Sequence, residues 1–362
     1  MNHTFDGVIE KIDSNCDLNR DDLETLLSVS EVNDLKRLYS KAYEIKVANV
    51  GKKVFFRGLI EFSNICEKDC YYCGIRKGNQ NVERFFMSED EILQEAKFAF
   101  DNKYGSIVLQ SGERSDPFFR GIMEQVVSKI KQMSGGGLGI TLCLGEQDEE
   151  TYIRWFAAGA HRYLLRIETS NPELYKKLHP KSHDFNTRLN CLGLLRKIGY
   201  QLGTGVMIGL PGQTISDLAN DIIFFREMDV DMIGMGPFIP HKDTSLGEGM
   251  KIDEKEQLEL GLKMIAATRI CLKDVNIAST TALQALSPTG RELGLLAGAN
   301  VIMPNLTETK YRPSYKLYDG KPCLDENSTV CKACLQKRIE GIGETIAFGE
   351  WGDSLHFKNK KS

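Results

Sequence analysis

The 362-residue chain is short of several things, and each shortage excludes a class. No apolar run approaches the roughly 18 residues of a membrane-spanning helix, so a membrane protein is not expected. The opening MNHTFDGVIEKIDSN lacks the basic-then-apolar order of a secretion signal, so a cytoplasmic protein is expected. Positive charge is not in excess: 46 Lys+Arg against 50 Asp+Glu leave a net charge of −4. That balance argues against a dedicated nucleic-acid binder. Ten cysteines are too few for a disulfide scaffold of this length. Long linkers, short-period repeats and low-complexity segments are absent. With 41% apolar and 27% charged residues, the chain can fill a sizeable core, and disorder is not expected.

What is present is a rhythm. Eight short apolar runs read as buried strands, at 54–61, 106–110, 139–144, 162–167, 201–208, 231–236, 276–280 and 300–303. Amphipathic stretches alternate with most of them, at 88–100, 148–158, 188–197, 215–228, 254–272 and 289–296. Ser88 and Glu91 form a capping-box pair at the first of these. Gly159, Gly199 and Gly298 stand between a helix and the next strand, where a left-handed C-cap belongs. Eight strand–helix units in about 255 residues predict an α/β fold, a (β/α)8 barrel over 51–305. A doubly wound open sheet is the alternative. Residues 1–50 read as an N-terminal helical extension, with Leu23, Leu26, Leu27 and then Leu35, Leu38, Tyr39, Ala42 at helical spacing. Residues 306–362 read as a less regular, charge-rich C-terminal segment.

The cysteines are informative by position. Cys16, Cys143, Cys191 and Cys271 are scattered, and the two on predicted helices, Cys191 and Cys271, read as core. Cys66, Cys70 and Cys73 cluster directly after the first predicted strand, in a loop that opens at the catalytic face of a barrel. Clustered cysteines in a cytosolic chain point to metal or catalysis before disulfides. Three thiolates so spaced can hold three irons of a 4Fe–4S cube and leave the fourth open to a small molecule. A zinc site lacking its fourth ligand, or coincidence, are the competing readings. A second trio, Cys323, Cys331 and Cys334, lies in the tail.

The Cys66-x3-Cys70-x2-Cys73 motif resembles that of the radical S-adenosylmethionine (SAM) superfamily. The resemblance implies that the open iron chelates SAM and that a 5′-deoxyadenosyl radical forms when the reduced cluster gives up an electron. Tyr72 matches an aromatic position near the adenine. Gln110-Ser111-Gly112-Glu113 looks like the strand end that holds the SAM ammonium, and GVMIGLPGQT at 205–214 is similar to a recurrent fifth-strand segment.

A finer resemblance, carried by IEFSNIC, IVLQSGE, RYLLRIETSNP, VMIGLPGQTI, DMIGMGPFIPH and ANVIMPN, is to the HydE family of FeFe-hydrogenase maturases. It extends to the tail trio, which in many members carries an auxiliary 2Fe–2S or 4Fe–4S cluster; zinc or free thiols remain open. Ile167 departs from the family, some members having a histidine there. The resemblance implies that Glu168 and Arg188 contact SAM, and that Ser111, Thr141, Arg166, Thr280, Thr281, Met303 and Tyr315 line a substrate cavity. It also implies a small organometallic substrate, a cysteine-ligated iron carrying CO and cyanide. A partner radical SAM maturase, a scaffold GTPase and a reductant such as ferredoxin or flavodoxin would accompany it. Residue chemistry alone supports an open cluster, SAM cleavage and a carboxylate-bearing or zwitterionic, amino-acid-derived substrate. A methylornithine-synthase-like mutase and a non-catalytic iron–sulfur carrier are the rivals. His241 reads as an ordinary loop histidine.

Overall fold

The computed structural model describes residues 4–325 and 328–360. The first apolar run folds as β1 (Lys53–Ser63), buried along nearly its whole length because both faces are covered. Parallel neighbours follow in chain order: β2 (Ser106–Ser111), β3 (Gly139–Cys143), β4 (Arg162–Leu164) and β5 (Gln201–Thr204) with its continuation β6 (Met207–Ile208). Next come β7 (Met232–Ile233) with β8 (Gly236–Pro237), then β9 (Asn276–Ile277) and β10 (Val301–Ile302). The ring closes: β10 pairs with β1, and Ala278 bridges Val301 between the seventh and eighth staves. This is the eight-stave parallel barrel that the sequence rhythm predicts.

Between staves run α4 (Glu89–Asp101), α5 (Pro117–Met133), α6 (Glu149–Ala157), α7 (Pro172–Leu178) and α8 (Phe185–Ile198). The second half has α9 (Ile215–Glu227), α10 (Glu254–Cys271), α11 (Thr281–Leu286) and α12 (Gly290–Leu296). The Ser88–Glu91 capping box forms as expected. Gly159, Gly199 and Gly298 all take positive φ after their helices.

Three differences from the sequence reading have physical causes. The runs 201–208 and 231–236 each break in two, because the staves press together at a glycine pair. A Cβ on Gly205 would lie 2.1 Å from the Gly234 carbonyl oxygen. The seventh stave ends early: Thr280 is the N-cap residue of α11 and Thr281 opens that helix, where the sequence suggested strand. Helix α5 escaped the sequence reading, although Asp116 caps it and Pro117 occupies its first turn.

The extension folds as α1 (Phe5–Asp13), α2 (Arg20–Leu27) and α3 (Val32–Val50), and α2 and α3 pack on α9 and α10. The tail adds α13 (Ser328–Gly341), β11 (Thr345–Ile346) beside the start of β1, and α14 (Leu355–Asn359). Between β11 and α14 the chain seals the N-terminal mouth of the barrel. Asp353 accepts from Arg162 at 2.6 Å and from Gln201 at 2.7 Å, while the Gly352 carbonyl accepts from Asn276 and Arg57. Those partners open β4, β5 and β9 or lie in β1. The opposite, C-terminal face is left for chemistry, as in other barrels of this kind.

Candidate active site

The β1–α4 loop carries Cys66, Cys70 and Cys73 onto the C-terminal face. Short contacts at the end of β2 hold it. The Gly112 amide donates to the Ser63 carbonyl at 2.9 Å, and the Glu67 amide to the Glu113 carbonyl at 2.8 Å. A Cβ on Gly112 would lie 2.4 Å from the Ile65 carbonyl oxygen and 2.9 Å from the Cys66 Cβ, so the loop approaches there only because the residue is glycine. The Arg84 guanidinium spans the inside of the loop, donating to the carbonyls of Asn64, Ile75, Arg76 and Asn79.

Burial pushes all three thiols up, Cys70 to about 12 and Cys73 well above the ordinary thiol value; Cys66 rises as well. In Cys70 and Cys73, neighbouring cysteines of the trio add to the rise. Half-buried, desolvated thiols that repel one another's thiolates are poor as free groups and suited to a shared positive metal centre. The Glu113 backbone amide already points at the Cys66 sulfur, at 3.3 Å.

His179 and His183 lie beside Cys70, with one ligand atom from each of the three within 4.8 Å of the others. Their hydrogen bonds argue against a mononuclear metal site. His183 Nε2 accepts from the Asp69 amide at 3.4 Å, which leaves the proton on Nδ1, facing the Cys70 sulfur at 4.0 Å. His179 Nδ1 meets the Tyr175 carbonyl at 2.9 Å, so it donates, and Nε2 accepts from the Tyr72 hydroxyl at 3.4 Å. Both lone pairs are taken by protein donors. Burial lowers His179 to about 3 and His183 to about 4, so both are neutral near pH 7. The Tyr72 ring stands edge-on to His179 and packs with Leu174, Leu178, Met207, Leu210 and Phe238.

Next to the trio is a ring of four alternating charges. Lys68 lies 3.2 Å from Glu113 and 2.7 Å from Glu146; Arg188 lies 3.2 Å from Glu113 and 2.8 Å from Glu146. Two acids and two bases leave the ring neutral. Burial raises Glu113, whereas Arg188 and Lys68 outweigh burial at Glu146 and hold it below the usual carboxylate range. Sequence reasoning found Glu113 and Arg188 but not Lys68 or Glu146. The signal was available: Glu146 follows β3 as Glu113 follows β2, and Lys68 lies inside the cysteine motif.

Glu168 sits at the mouth of the fourth stave with φ +68°, in the left-handed region. For a non-glycine residue this costs about 1–2 kcal/mol. The strain is held by ladder bonds: the Glu168 amide donates to Gly205 and its carbonyl accepts from Met207, both at 3.0 Å. The carboxylate pairs with Arg166 at 3.0 Å. Cys143, at the end of β3, rises to about 12 through burial, offset in part by Arg166.

The other residues expected at the site are distributed as follows. Gln110 donates to the Tyr315 hydroxyl at 3.3 Å, and Ser111 closes on the Gly112 carbonyl. Thr141 and Met303 line a small internal space that also meets Arg57, Val108, Leu164 and Ala278. The buried hydroxyl oxygens of Thr141 and Thr280 have no hydrogen-bond partner among the described residues. Thr281 accepts from Arg291 at 3.2 Å. Tyr315 is buried under Lys321, which pairs with Glu61 at 2.6 Å and donates to the Tyr315 carbonyl. In the tail, Cys323 is half-buried with the Gln284 amide 3.9 Å from its sulfur, and Cys334 is exposed. The Cys331 side chain lies outside the described residues. His241 is a buried loop residue whose Nδ1 accepts from the Asp243 amide. No helix among the described residues is long and apolar enough to cross a membrane.

Comparison with known proteins adds three findings. Residues 60–225 match the model of the Radical SAM superfamily. The chain is 45% identical to the [FeFe] hydrogenase maturase subunit HydE of Thermotoga maritima, over 95% of this chain and 96% of that one. It is 28% identical to 3-methylornithine synthase of Methanosarcina acetivorans, over 92% of each chain. Among solved structures, methylornithine synthase (PylB) superposes with a TM-score of 0.80 at 25% identity, over 94% of this chain and 98% of that one.

Proposed function

The chain belongs to the radical SAM superfamily and, within it, to the HydE family of hydrogenase maturases; from that premise we propose the chemistry of its site. Cys66, Cys70 and Cys73 hold a 4Fe–4S cluster, for which a half-buried trio of desolvated thiols that disfavour one another's thiolates is a fitting donor set. Bound there, the cluster supplies the electron that cleaves the SAM sulfonium bond.

The remaining work falls to side chains. Glu113, Glu168 and Arg188 hold the amino-acid end of SAM, with Gln110 and Gly112 shaping the strand end and Tyr72 walling the adenine side. SAM carries an ammonium and a carboxylate, and the neutral Lys68–Glu113–Glu146–Arg188 ring can exchange internal pairs for those groups without leaving a buried charge unmatched. Glu168 is strained into place for such a contact. Ser111, Thr141, Arg166, Thr280, Thr281, Met303 and Tyr315 line the substrate side. That substrate is a cysteine-ligated iron carrying CO and cyanide, supplied by a partner radical SAM maturase and passed on to a scaffold GTPase. A ferredoxin or flavodoxin provides electrons in an anaerobic cytoplasm. Cys323, Cys331 and Cys334 hold an auxiliary 2Fe–2S or 4Fe–4S cluster.

The observation that carries the maturase reading over the mutase is the 45% identity spread over nearly the whole chain, against 28% for the mutase. Its test is a synthetic cysteine–iron complex bearing CO and cyanide, added anaerobically with SAM and dithionite. The reading expects its infrared CO and CN bands to be replaced by new ones. Unchanged bands, with SAM cleaved normally, would count against it.

The His183 proton facing Cys70 gives a further expectation. Hydrogen bonds to cluster sulfurs stabilise the reduced state. Loss of about 1 kcal/mol of such stabilisation shifts a one-electron couple by ~40 mV. His183→Ala should therefore lower the midpoint potential of the Cys66–Cys70–Cys73 cluster by that order, read from the EPR signal during a redox titration. An unchanged potential would show that the contact is mere packing.

A further inference from the structure

The cations at the C-terminal face can be taken one by one. Lys68 and Arg188 face Glu113 and Glu146, Arg166 faces Glu168, and Lys321 faces Glu61. Arg291 differs. It is 3% exposed, yet its Nε and Nη1 have no hydrogen-bond partner, and no carboxylate among the described residues lies within ion-pair reach. Its one side-chain hydrogen bond among the described residues is Nη2 donating to Thr281 Oγ1 at 3.2 Å, on the helix that follows the seventh stave. Its backbone is fixed, because the Ser279 hydroxyl donates to the Arg291 carbonyl at 2.8 Å.

A buried guanidinium that lacks a counter-charge is costly. The protein's own side chains supply none here, so a ligand of opposite charge would complete it. Two other polar groups on the same short stretch are also unsatisfied: Thr280 Oγ1 and Gln284 Oε1, four residues apart and so on one face of α11. A planar guanidinium with free N–H groups matches a carboxylate in both charge and geometry.

We propose that Arg291, with Thr281, is the seat of the substrate's carboxylate, bound above the seventh stave. Arg166, the candidate for this role from the sequence, has a carboxylate partner in Glu168 at 3.0 Å, whereas Arg291 has none among the described residues. The inference deepens the proposed function and rests on it for the identity of the pocket. It does not depend on which iron ligands the substrate carries.

The test uses cluster-loaded, SAM-bound protein and a probe with no free thiol to attack iron: S-methyl-L-cysteine, compared with its carboxamide. Calorimetry should show the acid binding to the unaltered protein at least tenfold more tightly than the amide. Arg291→Met should weaken the acid at least tenfold and leave the amide unchanged, and Arg291→Lys should fall between. Arg291→Met should also melt no lower than the parent, since it removes an unpaired charge; a purely structural arginine would lower the melting temperature. Acid and amide binding alike, no acid binding up to millimolar probe, or full acid binding by Arg291→Met would each overturn the proposal. Loss of SAM cleavage in the unaltered protein would instead strike the radical SAM reading, so the two failures are told apart on the same sample.

Discussion

Cys73→Ala protein, reconstituted anaerobically with iron and sulfide, is expected to fail to assemble the cluster at the β1–α4 loop and to lose SAM cleavage at least ~1,000-fold, about 4 kcal/mol of barrier. Cys73 is half-buried, and its thiol is raised well above the ordinary value by desolvation, then by Cys70 and Cys66. Its sulfur therefore becomes a thiolate when a metal centre compensates it. The histidines beside Cys70 cannot substitute, because their lone pairs are engaged by the Asp69 amide and the Tyr72 hydroxyl. The loop itself should survive the change, since Arg84 and the end of β2 anchor it through backbone groups. Iron and sulfide analysis, with circular dichroism as a folding check, reads the outcome. A full cluster in Cys73→Ala would mean that another ligand serves.

The second large effect concerns stability and lies far from the chemistry. Lys46 in α3 and Glu344 before β11 form an ion pair at 2.7 Å with both side chains fully buried, and Tyr43 donates to the same carboxylate. Lys46 also donates to the Leu295 carbonyl at the end of α12. The pair joins the N-terminal extension, the barrel wall and the tail at one point. Removing one partner of a buried pair costs about 3–5 kcal/mol, because the other charge is left unmatched. Glu344→Ala should therefore lower the melting temperature by roughly 5–10 °C. Burial already depresses Lys46 to about 8, so in the variant the amine has still less reason to stay charged. The double change Lys46→Met with Glu344→Met removes both charges and should recover most of the loss. A variant that melts with the parent would show that the pair adds nothing beyond its packing.

What the sequence made legible follows from how local each signal is. The cysteine trio, the Ser88 capping box and the positive-φ glycines at 159, 199 and 298 are set by residues within a few positions of each other, and all were readable. The barrel was readable because eight apolar runs keep one period. The boundaries of its later staves were not, since Gly205 against Gly234 is a contact between staves, not a feature of either one. Thr280 and Thr281 were placed on a strand because no local signal separated two threonines at a strand end from a helix cap. The seal of the N-terminal mouth was invisible for the same reason. Asp353 meets Arg162 across 191 residues, and nothing in the tail announces its destination. At the site, Glu113 and Arg188 were found by motif, whereas Glu146, Lys68, His183 and Arg291 appear only when strand ends converge. Arg291 is the extreme case, because its meaning lies in a partner it lacks.

The central claim is that the C-terminal face of this barrel cleaves SAM with an electron delivered through the Cys66–Cys70–Cys73 loop. The most direct measurement is 5′-deoxyadenosine released when anaerobically reconstituted, iron-analysed protein is mixed with SAM and dithionite. The account predicts release that requires the reductant and disappears in Cys70→Ala. Well-loaded protein that reduces fully, binds SAM and releases none would contradict it.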